Sequence, residues 1–384
     1  MSPTPVTFNT PNQPSSYTWE ATNEEVAARY GVPIEDIVRF DLNTAPTPPE
    51  LAQQVMSAGR FHVSLSEYPP ADYRRLVEAA AERYGVGTDE LVVGAGADEI
   101  LDVVGKTFLV EGSRAVIPVP TYAMFRVLTE QRGAQAVLVP RLGAGEGYAL
   151  DLPAVREAAR ESALVWLCSP NNPTAQAEPD GAIETLLRQL DADADAGGRP
   201  APIVVIDEAY AEFAGRSLAD LRFDHPNLIV IRTASKAYAL AGLRVGFAVA
   251  RPELVARMNP IRSPGSVSTV SVTVVTEALR DPTLAASNVG WIGAERDRLI
   301  TALTEVGWSV GPSITNFVLV DLESVDRAAA AAEALLRRGL VPRTFPESHP
   351  LADHLRLTVR SSEQNDRLIA AARDFETGRG PIRD

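Results

Sequence analysis

The sequence predicts an α/β protein: a large domain on a mostly parallel sheet flanked by helices, then a smaller α/β domain, with an N-terminal arm ahead of both. Three observations carry this. Short apolar runs alternate with helical stretches through the first two thirds of the chain. Several of those runs are apolar at nearly every position, the mark of strands covered on both faces. After residue 255 the rhythm changes, and a second set of helices and strands follows.

The elements are justified in order. The first sixteen residues are polar and proline-rich and read as a mobile arm. Helices are expected at 23–30, stopped by Gly31 and Pro33, and at 73–84. In the second, Leu76, Val77, Ala80 and Ala81 recur at helical spacing before Gly85. Seven strands are expected at 91–93, 115–119, 136–139, 163–168, 203–206, 228–231 and 245–250. The stretch 191–200, acidic and then glycine-rich, reads as a solvated surface loop. A Ser/Val/Thr-rich segment spans 263–276. A helix at 294–306, a strand at 316–322, an alanine-rich helix at 325–338, and strands near 340–343 and 355–359 complete the chain. The expected division is 1–40 for the arm and a helix joining the small domain, 41–255 for the large domain, and 256–384 for the small C-terminal domain.

Composition narrows the function classes. The chain has 384 residues and a net charge of -14, a surface that repels phosphate backbones and anionic lipid, so no nucleic acid or membrane partner is expected. A single cysteine, Cys168, ends an apolar run and reads as buried filler, unable to form an intramolecular disulfide. The N-terminus has no basic start and no apolar core of a signal peptide, and no stretch approaches the roughly 20 apolar residues of a membrane span. A cytoplasmic protein is expected.

In such sheets ligands sit beyond the carboxyl ends of the strands, so the residues after each run matter most. Asp207 ends the run 203–206 and precedes Glu208, Ala209 and Tyr210. A carboxylate there needs a cation if it is buried, or else it is a helix N-cap. Lys236 follows Arg232-Thr233-Ala234-Ser235. A desolvated lysine is a nucleophile toward an aldehyde, whereas most lysines are surface groups. The chain has only two, Lys106 and Lys236, and Lys106 lies in a helical stretch. Gly94-Ala95-Gly96-Ala97-Asp98-Glu99 suits a loop whose N–H groups meet one phosphate, or a plain turn; Glu99 stands where a dinucleotide fingerprint has glycine. Tyr122 can offer its face to an aromatic ring, or belong to the core. The turn Ser169-Pro170-Asn171-Asn172-Pro173-Thr174 carries two asparagines able to bind a ligand oxygen. Arg244, before the last run, can clamp a phosphate dianion. Arg343 and Arg356 sit in mainly apolar runs and point to an anion site.

Together these segments resemble the class I/II aminotransferases that depend on pyridoxal phosphate (PLP), and among them the histidinol-phosphate aminotransferases. The carrying stretches are 93–101, 120–122, 169–174, 205–210 and 232–244, in the family's order and spacing. The resemblance covers roughly 17–375 and implies PLP fold type I, with a seven-stranded sheet. It implies that Lys236 carries PLP as a Schiff base and moves the substrate proton, and that Asp207 pairs with the ring nitrogen. Asn172 and Tyr210 would bond the ring's 3′ oxygen and Tyr122 would stack on the ring. Ala97, Asp98, Ser235 and Arg244 would hold the phosphate. Tyr68 resembles a tyrosine that reaches the partner subunit's cofactor, which implies a homodimer. Arg356, Arg343, Tyr17, Asn43 and Asn316 resemble groups on the substrate side. No metal is implied.

The implied reaction passes an amino group from a donor, first L-histidinol phosphate, to the acceptor 2-oxoglutarate. An aromatic or broad-specificity aminotransferase and a PLP-dependent amino-acid-phosphate decarboxylase share the same motifs. The chain departs from the family in three places: Asn43-Thr44-Ala45-Pro46 replaces Asn-Glu-Asn-Pro, Ala175 stands where glycine follows the Asn-Pro-Thr motif, and Ala97 stands where serine is common.

Overall fold

The computed structural model describes residues 15–378. The expected mobile arm therefore falls almost wholly outside the described residues. Helix α1 (Asn23–Tyr30) opens on a capping box: Thr22 Oγ1 accepts from Glu25 N–H, and Glu25 returns a bond to Thr22 N–H. It closes on Gly31 in the left-handed conformation. After the short strand β1 (Val38–Arg39) come α2 (Glu50–Ala58) and α3 (Arg74–Tyr84).

Seven strands then build the main sheet: β2 (Leu91–Gly94), β3 (Arg114–Val119), β4 (Gln135–Pro140), β5 (Leu164–Cys168), β6 (Ile203–Asp207), β7 (Leu228–Thr233) and β8 (Gly246–Ala250). The order across the sheet is β2-β8-β7-β6-β5-β3-β4, and only β8 runs against its neighbours. Both faces are covered. Val204, Ile206 and Val230 point to one side, while Val205, Ile229 and Ile231 point to the other. This is why the runs lack alternation. The helices between the strands are α4 (Gly96–Phe108), α5 (Met124–Gln131), α6 (Leu152–Ala159), α7 (Ala182–Gly197) and the single turn α8 (Ala211–Ala214). On one face Ile100, Val103 and Phe125 come from α4 and α5. On the other, Leu76 comes from α3, Val155 from α6, and Leu186 and Leu190 from α7.

The chain continues through α9 (Pro252–Met258), α10 (Thr269–Arg280), α11 (Leu284–Val306), β9 (Ser309–Val310), β10 (Phe317–Asp321), α12 (Val325–Leu336), β11 (Leu340–Val341), β12 (His354–Thr358) and α13 (Ser362–Glu376). A three-stranded antiparallel sheet, β12-β10-β9, packs with α11, α12 and α13 around Leu299, Leu303, Trp308, Val318, Leu335, Leu357 and Leu368. Strand β1 pairs in parallel with β11, so Val38 and Phe40 join this second core.

Three expectations are corrected. The surface loop at 191–200 is instead the last turns of α7, which runs to Gly197. Alanines at 192, 194 and 196 favour helix, Leu190 and Ala194 bury one stripe, and the acids find partners: Asp193 accepts from Arg156 at 2.6 Å, and Asp191 meets His225 at 2.5 Å. Helix α11 begins at Leu284, ten residues before the expected start, and runs through Gly290 and Gly293. The first core also extends past residue 255: Val272, Val274, Val275 and Ala278 of α10 and Ala285 of α11 belong to it, whereas Ile292 and Leu299 of α11 belong to the second core.

Candidate active site

Between the two cores, beyond the carboxyl ends of the parallel strands, lies a cavity of about 680 Å³. Strand ends supply its chemistry. At the end of β6, Asp207 is 4% exposed. Its Oδ1 accepts from Ala209 N–H at 3.0 Å, and it has no ion-pair partner among the described residues. Burial pushes its carboxyl up to about 7, against the opposing effects of that hydrogen bond and of Lys236. An unpaired buried carboxylate facing a cavity is a receptor for a cation.

Lys236 lies in the loop after β7 and lines the same cavity. Its Nζ donates to the carbonyl of Asn43 at 3.0 Å and sits 5.6 Å from the centre of the Tyr210 ring. Burial, helped by the charge of Arg356, brings its amine down to about 8. Lys106 is a different kind of lysine: it pairs with Asp102 one turn away at 2.5 Å on the half-exposed face of α4.

One end of the cavity is built for an oxyanion. No side chain caps the start of α4, where Ala97 and Asp98 line the wall, so first-turn N–H groups face the space. Arg244 donates to Asp98 at 3.0 Å and holds a left-handed φ of 49°. Ser235 lines the same end, with its N–H donating to Thr233 Oγ1 at 3.1 Å. Gly246 is required here: a Cβ at that position would lie 2.4 Å from the backbone of Gly96. Tyr122 donates its hydroxyl to Asp98 Oδ1 at 2.7 Å and turns its ring to the cavity wall. A negatively charged aromatic group with a ring cation at its far end matches this arrangement from both sides, and Lys236 lies within reach of a carbonyl on it.

The Asn171-Asn172 pair separates by function. Asn171 is consumed by structure: its Nδ2 donates to Pro120 O and Thr174 Oγ1, and its Oδ1 accepts from Thr121. Asn172 is left to face the cavity, where its Oδ1 accepts from Arg356 Nη1 at 2.6 Å. Arg356, on β12, is 6% exposed and also donates to the carbonyl of Asp41, while its Nε has no partner among the described residues. Arg343 bridges to the N-terminal segment, donating to Thr18 O at 2.7 Å, with its guanidinium 5.4 Å from the Tyr17 ring. Arg343, Arg356, Tyr17 and Asn43 all line the cavity.

Two of the expected site residues do not reach that wall. Asn316 is buried behind Asn43 and donates to its carbonyl at 2.9 Å. Tyr68 is 91% exposed and stands away from the cavity of its own chain. Conversely, Trp19, Asp41, Met124 and Cys168 line the cavity although no motif marked them for it. Cys168, read as filler, is in register with Asp207 on the neighbouring strand, so its place was legible from the strand ends alone. Its thiol is held well above its ordinary range by burial.

Known proteins bear on this geometry. The family model for aminotransferase class I and II matches residues 37–371. The chain is 37% identical over 343 residues to a histidinol-phosphate aminotransferase of Thermococcus gammatolerans, covering 89% of this chain and 92% of that one. It is 34% identical over 354 residues to the histidinol-phosphate aminotransferase of Symbiobacterium thermophilum, covering 91% and 92%. Among solved structures, the histidinol-phosphate aminotransferase of Sinorhizobium meliloti in complex with pyridoxal-5'-phosphate superposes with a TM-score of 0.82 at 25% identity, covering 94% of this chain and 96% of that one. The sheet, the cavity at its carboxyl edge and these likenesses lead to one conclusion: the chain belongs to the class I and II aminotransferases.

Proposed function

We propose that the protein is a PLP-dependent aminotransferase that moves the amino group of L-histidinol phosphate to 2-oxoglutarate, a step of histidine biosynthesis, as a cytoplasmic homodimer. The observation that carries the cofactor is the pairing of a desolvated lysine amine with an unpaired buried carboxylate in one cavity. The relatives' activity and the two arginines at the cavity's far end support an anionic donor and an anionic acceptor.

Bound here, PLP supplies an electron sink for the electrons of the substrate's Cα–H bond. Asp207 provides the buried negative charge that keeps a ring nitrogen protonated. Arg244, Ser235 and the N–H groups of Ala97 and Asp98 fix the phosphate, and Tyr122 covers a ring face. Lys236 would hold the cofactor and, as the free amine, would take the α-proton of the donor at Nζ; burial lowers that amine to about 8, so more of it is unprotonated near neutral pH than of an ordinary lysine. Tyr210 and Asn172 meet the ring's hydroxyl oxygen. Arg356 and Arg343 take the anionic groups of donor and acceptor, with Tyr17 and Asn43 beside them.

The dimer rests on what one chain leaves unfinished. Tyr68 projects from its surface beside Gly265, a large aromatic ring left 91% exposed. A second copy placed there receives Tyr68 at its own cofactor.

The test is the visible spectrum of the PLP-loaded protein while single amino donors are added without acceptor. Loss of the cofactor–lysine band with histidinol phosphate, and little change with phenylalanine or tyrosine, is expected. A response to the aromatic amino acids moves the assignment to a broad aminotransferase. Carbon dioxide release with no oxo acid moves it to a decarboxylase. A protein with no such band overturns the role of Lys236.

A further inference from the structure

Asn43 is the point at which the two cores meet the reactive lysine. It is 2% exposed and holds a left-handed φ of 52°, a conformation that asparagine tolerates better than most residues but that still needs support. The support comes mainly from the second core. Asn43 N–H donates to Thr358 Oγ1 at 2.9 Å, and the Thr358 hydroxyl donates on to Phe40 O at 2.7 Å. Arg360 grips the next two carbonyls, those of Thr44 and Ala45, at 3.0 and 3.2 Å. From the loop after β6, the Tyr210 hydroxyl accepts from Asn43 Nδ2 at 3.0 Å.

The result is a carbonyl oxygen aimed at Lys236. It accepts from Lys236 Nζ at 3.0 Å and from Asn316 Nδ2 at 2.9 Å. A carbonyl has two lone pairs, and both are taken. An ammonium group carries three donors and is stabilised by strong acceptors, whereas a neutral amine is content with one weak one. By occupying the second lone pair, Asn316 leaves the lysine a shared acceptor that serves the amine better than the ammonium. Asn316 is 1% exposed and its own Oδ1 has no partner among the described residues, so its amide is held for that single donation. The charged and titratable groups around Lys236 are Arg356 from β12, Arg244 ahead of β8, Asp98 from α4, and Asp207 and Tyr210 at the end of β6. They carry both signs and come from separate elements, so none of them alone fixes where the free amine rests.

We propose that the main-chain carbonyl of Asn43 is the resting acceptor of the Lys236 amine whenever that amine is free, and that Asn316 is the positioning residue that keeps this oxygen aimed and shared. The proposal rests on the reading of Lys236 as the cofactor lysine. It assigns Asn316 a role behind the cavity wall and gives a reason for a left-handed asparagine where the chain leaves β1.

Because the chain has only two lysines, growth on lysine labelled with carbon-13 at Cε yields two resonances whose shifts report amine protonation. Lys106, in its surface ion pair, is the internal reference. The PLP-loaded protein is converted with an amino donor in the absence of oxo acid, which frees Lys236, and is titrated. In Asn316→Leu the Lys236 midpoint rises by about half a pH unit or more, roughly threefold in proton affinity. In Asn316→Asp, close to the native shape, it rises further because a negative charge replaces a donor. In Arg360→Gln, which loosens the same loop without touching the Asn43 oxygen, it stays where it is in the unaltered protein. An unchanged midpoint in both Asn316 variants overturns the proposal and leaves the cofactor reading standing. An equal rise in Arg360→Gln overturns it as well, since general loosening then accounts for the effect. If the Lys236 resonance of the unaltered protein does not move when PLP binds, the cofactor reading itself falls and the proposal falls with it.

Discussion

Replacing Asp207 by asparagine is expected to stabilise the protein without its cofactor, and to do so only above the pH at which the carboxyl of the unfolded chain loses its proton. Asparagine keeps the shape and can still accept from Ala209 N–H, so the change is confined to charge. The folded carboxyl is raised to about 7 by burial. Its unfolded value is near 3.9, so between these two values the folded state holds a proton that the unfolded state has lost. The native carboxyl therefore contributes no penalty below about pH 4, an increasing one up to about pH 7, and a constant one above that. At about 1.4 kcal/mol for each pH unit, the full penalty is on the order of 4 kcal/mol. Urea unfolding of the cofactor-free Asp207→Asn variant and of the unaltered protein, followed from pH 4 to pH 8, measures it directly. The two should coincide at pH 4 and diverge until pH 7, with the variant the more stable. With PLP bound the order should reverse, because the ring nitrogen then neutralises Asp207 in the unaltered protein and meets no charge in the variant. A stability difference that does not change with pH would refute the argument that an unpaired buried charge waits in this cavity.

Three further outcomes follow from the site. Arg356→Lys should lower kcat/KM for an anionic donor by roughly 30-fold or more, since the guanidinium's paired contacts with Asn172 and the Asp41 carbonyl have no lysine equivalent; steady-state kinetics with donor varied checks this. The rate of the first half-reaction, followed by stopped-flow absorbance, should rise with pH as Lys236 loses its proton near 8, roughly fivefold between pH 7 and pH 8, and then level off. Gly246→Ala forces a Cβ against the backbone of Gly96, which no rotamer can relieve; weaker PLP binding by equilibrium dialysis and a lower unfolding temperature are expected together.

The places of Lys236, Asp207 and Arg244 on the cavity wall were legible in the sequence because each follows or precedes an apolar run, and such runs end at the ligand edge of a parallel sheet. At residues 191–197 the acidic composition points to a loop while the alanines between the acids favour the helix that forms, and Arg156 and His225, which receive two of those acids, lie 37 and 34 positions away. The resemblance alone singles out Asn172 from the two asparagines of that turn, and the structure supplies the reason: Asn171 spends its hydrogen bonds on Thr121, Pro120 and Thr174. The hub at Asn43 was beyond reach because its partners Tyr210, Lys236, Asn316 and Thr358 stand 167 to 315 positions along the chain. Ala175 is instructive in the other direction. Glycine belongs there by family pattern because the backbone is left-handed, and the alanine adopts a φ of 65° all the same, held by its N–H bond to Asn171 O and by Ile314 N–H on its carbonyl.

Helix α11 places Ala285 in one core and Leu299 and Leu303 in the other, on a single unbroken run of backbone hydrogen bonds. Such a helix cannot melt at one end and remain fully supported at the other. A cut at residue 255 would strip α10 from Leu76 and Ala80, and a cut near residue 290 would split a helix in two. For unfolding, then, the two cores are expected to be coupled through α11, and neither half is a natural unit for separate expression.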